Sequence, residues 1–250
     1  MENQINISAT IVIYNQSIDI LKSAIDSFLN IPLTKKLFVI DNASKTYLEK
    51  QFLHEDLEYI YLDQNIGFGA AHNHVINKLN SDYHLILNPD IEFNPSIIRP
   101  LIDKLQKEGD VSFITPKIVY PDSEIQFVCR KHPTFFDLIN RKIKFSEKKF
   151  QAHQYAHKDL SKPFYPEFIH GCFMLFKTKE LKTLQGFDKR YFLYMEDADL
   201  CRKIDASGKK KLYFPEVEII HQHQKGSSKK PILFYHHFIS AIKYFLKWGF

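Results

Sequence analysis

The chain has 250 residues, of which 44% are hydrophobic and 25% charged; this is enough apolar content for a sizeable core and excludes a mainly disordered chain. The formal net charge of +5 suits phosphate-bearing ligands or an anionic membrane surface, and the dispersed lysines carry no nucleic-acid-binding signature. Three widely spaced cysteines without a Cys-x-x-Cys pair, Cys129, Cys172 and Cys201, read as reduced thiols rather than a disulfide framework. The start, Met1-Glu2-Asn3-Gln4, has no signal-peptide pattern, and no segment approaches the roughly 18 apolar residues of a spanning helix. The expectation is a cytoplasmic chain, soluble or peripheral at the inner face of the membrane.

In chain order, residues 7–14 predict an apolar strand. Ser17 or Asp19 can cap a helix carrying Ile18, Leu21, Ile25, Phe28 and Leu29 at helical spacing. Residues 37–40 predict a second strand ending at Asp41-Asn42, 46–53 a helix and 57–62 a third strand. Asn65-Ile66-Gly67-Phe68-Gly69 reads as a loop opening a helix to Leu79. Residues 83–87 predict a fourth strand, halted by Pro89, which has no N–H for the ladder. A helix from Pro95 to Lys107 and a strand over 111–114 follow. Short, nearly all-apolar strands alternating with helices imply βαβ units and a doubly wound, largely parallel α/β sheet.

From 121 to 166 this rhythm is lost. Arg141, Lys142, Lys144, Lys148 and Lys149 give an insertion or flap with a basic face, either solvated or contacting an acidic acceptor or lipid headgroup. The pattern then resumes with a strand over 168–176 interrupted by Gly171 and a helix from Glu196 to Ser207. Short strands over 211–214 and 217–221, a basic Gly/Ser loop over 225–230 and an amphipathic helix over 232–247 complete it.

The acids at strand ends are the candidate chemistry. Asp90 follows the fourth strand, where open α/β sheets bind ligands; it can hold a divalent metal or serve as a turn residue, and Glu92 can share its face. Asp41 can accept hydrogen bonds from a base or ribose, or form a turn with Asn42. The glycines of Asn65-x-Gly67-x-Gly69 allow close backbone approach to a ligand ahead of a helix N-terminus, and Asn73 can face the same cleft. Glu196-Asp197-x-Asp199 complements a helix dipole. There one acid can cap while another faces substrate, and Asp199 can pair with Lys203 at i,i+4. His221, with His223 as competitor, is either a strand-end imidazole able to bind metal or a lone surface histidine. The last helix, with a stripe of Ile232, Tyr235, Ile239, Ile242 and Phe245, can pack on the domain, on a dimer partner or on a membrane surface.

In their order and spacing these stretches form a specific set. They are Ala9-Thr10-Ile11-Val12-Ile13-Tyr14-Asn15, Phe38 to Ser44, Asn65 to Asn73, Leu87-Asn88-Pro89-Asp90, Gly171 to Leu175 and Gly186 to Cys201, with His221, Gly226 and Ser227. The chain resembles the family 2 glycosyltransferases of the GT-A fold, especially their bacterial rhamnosyltransferase-like branch, over about residues 7–230. The resemblance implies a GT-A domain over 1–230 and leaves 231–250 as the C-terminal helix. It implies inverting transfer from a nucleotide-diphosphate sugar, dTDP-rhamnose or a UDP-linked sugar, to a saccharide or lipid-linked acceptor of cell-surface polysaccharide assembly. Tyr14, Asn15, Asp41, Asn42, Asn65, Gly67, Gly69, Asn73 and Asn88 would bind the donor, and Asp90 and His221 would hold Mn²⁺ or Mg²⁺. Asp197 would be the general base beside Glu196. Asn88 stands where the family's Asp-x-Asp element has its first acid. Two rivals stay open: a sugar-phosphate nucleotidyltransferase, though Tyr14-Asn15-Gln16-Ser17 lacks the glycine such a loop needs, and a non-catalytic nucleotide-sugar-binding protein.

Overall fold

A computed structural model describes residues 5–135, 151–222 and 231–249. Its main sheet has eight strands in the order β3-β2-β1-β4-β9-β6-β10-β5. These are β1 (Asn6–Ile13), β2 (Thr34–Asp41), β3 (Leu57–Tyr61), β4 (Tyr83–Leu87), β5 (Ile91–Glu92), β6 (Val111–Val119), β9 (Phe173–Lys177) and β10 (Lys210–His221). Strands β7 (Cys129–Arg130) and β8 (Phe168–Ile169) form a small antiparallel pair. The helices are α1 (Ile18–Leu29), α2 (Phe68–His72), α3 (Ile98–Lys107), α4 (Thr178–Thr183), α5 (Glu196–Ala206) and α6 (Pro231–Trp248).

The expected largely parallel α/β sheet is found. Strands β3, β2, β1 and β4 are mutually parallel, as are β6 and β10, while β9 runs antiparallel between β4 and β6. All five residues of β4 are buried, as a strand covered on both faces requires. This topology brings the carboxyl ends of β1, β2, β4, β6 and β10 and the amino end of β9 to one edge. Asp41, Asn88, Cys172 and His221 lie along it.

Several elements depart from the periodicity, each for a local reason. The helix expected over 46–53 is a single 3₁₀ turn, Glu49–Gln51, because the preceding residues bond to Asp41 and Asn15. The helix expected from Gly69 to Leu79 stops at His72 and resumes as a 3₁₀ turn, Ile76–Lys78. Asn73, at the break, bonds to another segment through its side chain. The expected strand over 111–114 runs on to Val119 past Pro116, which faces Phe214 where the β10 register slips. A bulge there tolerates a residue with no ladder N–H, and it joins the two short strands expected over 211–221 into one. Gly171 does break the run over 168–176, but the halves enter different sheets. The start of α3 follows the sequence closely: Asn94 accepts from Ser96 N at 3.0 Å, with Pro95 at the first position.

Candidate active site

The loops after β1 and β2 are built around Asp41, which is fully buried. Its Oδ1 accepts from Ser44 N at 2.7 Å and its Oδ2 accepts from the Tyr59 hydroxyl. Burial and this carboxylate push the Tyr59 phenol well above its ordinary range. Ser44 Oγ accepts from Asn15 N at 2.8 Å, and Asn15 Oδ1 accepts from Lys45 N at 2.9 Å. Asn15 takes φ +52°, a left-handed conformation Asn tolerates. Asp41 therefore anchors both loops, and Tyr14, 53% exposed, forms the open rim beside them.

Asn42 and Asn65 brace the next loop. Asn42 Nδ2 donates to Asn65 Oδ1 at 2.8 Å, Asn42 Oδ1 accepts from Ile66 N at 2.9 Å, and Asn65 Oδ1 accepts from Gly67 N at 3.0 Å. The expected close approach at the glycines is real, but the neighbour is the protein itself. Gly67 has φ +89°, and a Cβ there would lie 2.3 Å from the Phe192 carbonyl oxygen; at Gly69 it would lie 2.7 Å from Phe187 Cβ. Phe68 N, at the start of the five-residue α2, donates to Phe192 O at 3.0 Å. The glycines thus seat residues 187–196 against this loop. Asn73 does the same: its amide donates to Phe187 O at 2.7 Å and accepts from Phe187 N at 2.9 Å. Its side chain is a clamp on that segment.

Beyond β4 the chain turns at Asn88-Pro89-Asp90. Asn88 N donates to Cys172 O at 2.9 Å, tying this turn to the start of β9. Strand β5 pairs His221 with Ile91, which sets Asp90 Oδ1 3.2 Å from His221 Nε2. The other ring nitrogen, Nδ1, lies 2.9 Å from Gln126 Oε1, and Gln126 Nε2 donates to His221 O at 2.9 Å. Burial pushes the imidazole pKa down, but hydrogen bonds to Asp90 and Cys172 outweigh it and raise it to about 10. The two groups are paired through a proton that a cation can replace. Asn88 Oδ1 is buried without a hydrogen-bond partner in the described structure. A carboxylate, an oriented imidazole and an unpaired amide oxygen suit a small divalent ion that completes its shell with substrate oxygens and water. Among the described residues no cluster of three or more His, Cys, Asp or Glu forms a self-sufficient cage. Glu92 is exposed on β5. His223, Gly226, Ser227 and Ser228, and the lysine-rich stretch from Arg141 to Lys149, lie outside the described residues.

The acidic pair opens α5. Tyr194 and Met195 both have φ +68°; two successive left-handed residues store roughly 1–3 kcal/mol each and aim the next side chains. Asp197 Oδ2 accepts from Gly171 N at 3.0 Å and Oδ1 from Ala198 N at 2.9 Å. Burial pushes this carboxyl up, but His170 and the two backbone N–H groups outweigh that and hold it below the usual carboxylate range. Glu196 is buried, and Oε2 has no partner in the described structure. Burial and the adjacent Asp197 charge push it well above the usual range. The two neighbouring carboxyls are thus pushed in opposite directions, a separation that suits acid–base chemistry.

Asp199 corrects an expectation. It pairs not with Lys203 but with Lys247 Nζ and Trp248 Nε1, both at 2.7 Å, and Tyr191 OH donates to it at 3.3 Å. Lys203 Nζ donates instead to Leu184 O at 2.5 Å and Gly186 O at 2.6 Å. These bonds tie α6 to the catalytic segment, as do Ser240 Oγ to Leu193 O at 2.9 Å and the His236 ring stacked on Phe192. The helix packs on the domain, but through Ser240, Ala241, Tyr244 and Phe245. Ile232, Tyr235 and Ile242 of the expected stripe are exposed. Two residues absent from the sequence reading complete the site, His170 and Gln126. The first adjoins the Gly171-Cys172 stretch; for the second no sequence signal exists. A cavity of about 640 Å³ between Leu79 and Thr183 opens at the opposite edge of the sheet, away from these acids.

The sequence matches the model of Glycosyl transferase family 2 over residues 8–182, and the chain belongs to that family. An N-acetylglucosaminyl-diphospho-decaprenol L-rhamnosyltransferase of Mycobacterium tuberculosis is 26% identical over 181 residues, 67% of this chain and 59% of that protein. The chain therefore spans about three fifths of that relative's length. Rhamnosyltransferase WbbL of Escherichia coli is 26% identical over 223 residues, covering 84% of this chain and 81% of its own. Among solved structures, GalNAc-T7 with UDP, GalNAc and Mn²⁺ superposes with TM-score 0.69 at 15% identity, over 92% of this chain and 45% of that one. A mannosyltransferase from Pyrobaculum calidifontis with GDP-Man and Mn²⁺ gives 0.60 at 15% identity, over 98% and 70%. These likenesses place the fold as GT-A.

Proposed function

We propose that the chain is an inverting, metal-dependent glycosyltransferase. It moves a sugar from a nucleotide-diphosphate donor, dTDP-rhamnose or a UDP-linked sugar, to a saccharide or lipid-linked acceptor in surface-polysaccharide assembly. The observation that carries this is Asp197, its two oxygens held by the Gly171 and Ala198 N–H groups beside the buried Glu196, on the same sheet edge as the Asp90–His221 pair. Asp197 takes the proton of the acceptor hydroxyl as that oxygen attacks the anomeric carbon and the bond to the diphosphate breaks. One base and one displacement invert the centre. Asp90, His221 and the Asn88 amide oxygen would hold Mg²⁺ or Mn²⁺, which neutralises charge on the departing diphosphate. Tyr14, Asn15, Asp41 and Asn42 frame the nucleotide side. Acceptor choice is assigned to the sequence between 121 and 166 in this reading. The names of the mycobacterial and E. coli relatives support a rhamnosyl donor, and that of the first supports a lipid-linked acceptor.

Thermal-shift titration with UDP, dTDP, GDP and CMP, each with and without Mn²⁺, tests the donor and metal assignments. One diphosphate should raise the melting temperature by several degrees only with metal, since a ligand at 100 times its Kd adds about 2.7 kcal/mol. Asp90→Asn should remove the metal-dependent part. Absence of any shift would overturn the reading.

Among the described residues no helix is long and apolar enough to cross a membrane. Helix α6 has no acidic residue and exposes Phe234, Tyr235, Phe238, Ile242 and Leu246, a composition suited to lying in a lipid interface on the cytoplasmic side. Wild-type protein should cosediment with anionic vesicles, and Phe238→Glu with Leu246→Glu should not. Vesicle-independent dimerisation lost in the same variant would assign the face to a second copy instead.

A further inference from the structure

The base carboxylate has an unassigned neighbour. His170 follows β8, with its backbone N–H on Val128 O at 3.0 Å. Its Nδ1 lies 3.7 Å from Asp197 Oδ2, the same oxygen that accepts from Gly171 N at 3.0 Å. The dipeptide His170-Gly171 therefore presents a main-chain donor and an imidazole to one carboxylate oxygen. The Phe168 ring, 4.9 Å away between centroids, flanks the imidazole. Exposure grades outward across this row: Glu196 is 6% exposed, the Asp197 side chain 17% and that of His170 38%.

This gradient matters for turnover. Transfer forms the bond from acceptor oxygen to anomeric carbon and breaks the bond to the diphosphate, whose oxygen takes the electron pair. The acceptor's proton goes to Asp197. The carboxyl so formed sits beside the buried Glu196, whose own carboxyl is pushed well above the usual range and so is no base for it. Cys201, which feels the Asp197 charge, is pushed up to about 12 by burial and is no base for it. His170, the more exposed of the pair, meets both Asp197 and solvent.

We propose that His170 is a positioning residue for Asp197, pairing with the ionised carboxylate before attack and passing its proton to solvent afterwards. The gap of 3.7 Å is longer than a working hydrogen bond, and such contacts tighten when substrate fills the site. The inference rests on Asp197 being the base.

The test is the pH profile of kcat/KM for wild type, His170→Gln and His170→Asn, with nucleoside diphosphate binding measured alongside. Without the imidazole the Asp197 carboxyl should protonate more easily. The acid limb should therefore move up by roughly one pH unit. The rate constant kcat should fall about tenfold or more, donor KM should hold, and free imidazole should restore part of the rate. A uniform loss with the limb in place and no rescue would overturn the proposal. If neither variant folds, the His170 ring signals can be titrated by NMR in wild type and Asp197→Asn. A lower midpoint in the variant supports the pairing and an unchanged one overturns it. Full activity of Asp197→Asn would remove the base reading and this inference together; an inactive Asp197→Asn with an unshifted His170→Gln profile would remove this inference alone.

Discussion

Asp197→Asn should lower transfer by about a hundredfold to ten-thousandfold, the range a positioned general base supplies. The amide keeps the shape but cannot take a proton. Nucleotide binding should survive, because the donor-side residues Asn15 and Asp41 are held by bonds that do not involve Asp197. Some stability should be lost as well. Both Asp197 oxygens accept backbone N–H groups, and Asn must turn its NH₂ toward one of them, at a cost of roughly 1–3 kcal/mol. Glu196→Gln is the matched control. Glu196 is held protonated, and Gln resembles a neutral acid, so its rate should stay within about tenfold, equivalent to 1.4 kcal/mol of barrier. Rates for both variants, with thermal-shift binding of the diphosphate, decide the matter. A fast Asp197→Asn enzyme, or a Glu196→Gln enzyme as slow as Asp197→Asn, would refute this division of labour.

What the sequence disclosed and what it hid follow one rule. The strand that ends at Asn88-Pro89-Asp90 was legible because burial on both faces demands a continuous apolar run, and Pro89 marks its end. The acids of α5 were legible because three carboxylates in one helical turn are unusual. The partner of Asp199 was not. An i,i+4 lysine is a weak local attraction, whereas Lys247 and Trp248 reach Asp199 from the far end of the chain. Gly67 and Gly69 signalled a close approach correctly, but a missing side chain does not say what approaches. Asn73 has helical neighbours and yet ends α2, because its amide bonds to Phe187, 114 residues away in sequence. Local spacing carried the elements; long-range hydrogen bonds decided which polar side chains remained for the site.

The same long-range packing should make the protein labile in acid well above the range where carboxylates titrate. His72 and His84 are both buried, and burial lowers each to about 3 from an ordinary 6.5. Neutral His84 is bonded, with Nδ1 2.7 Å from Ser8 Oγ and Nε2 3.0 Å from Thr10 Oγ1. His72 has no partner for either nitrogen in the described structure and lies between the Phe68 and Phe187 rings. The unfolded chain binds protons at these rings below pH about 6.5 and the folded chain does not until about 3, so the contribution of each ring to stability must fall as pH drops through that window. At pH 5 each ring should cost about 2 kcal/mol, and both together about 4, against a typical total of 5–15. His221 and Glu196 act the other way, since both are raised in the fold and gain stability as pH falls; comparing His72→Phe with wild type cancels them. The raised pKa of His221 gives stability that is lost on going up toward about 10 and is complete below 6.5. The depressed carboxyls Asp188 and Asp197 lose theirs only below the ordinary carboxylate range. His72→Phe removes two unpaired nitrogens and keeps a ring between its aromatic neighbours. The drop in unfolding free energy between pH 7.5 and pH 5, from urea titrations, should shrink by about 2 kcal/mol in this variant. An equal drop in wild type and His72→Phe would mean that His72 takes up its proton while folded. His84→Phe should flatten the pH dependence equally but lower stability at both pH values, because Ser8 and Thr10 then lose their partner.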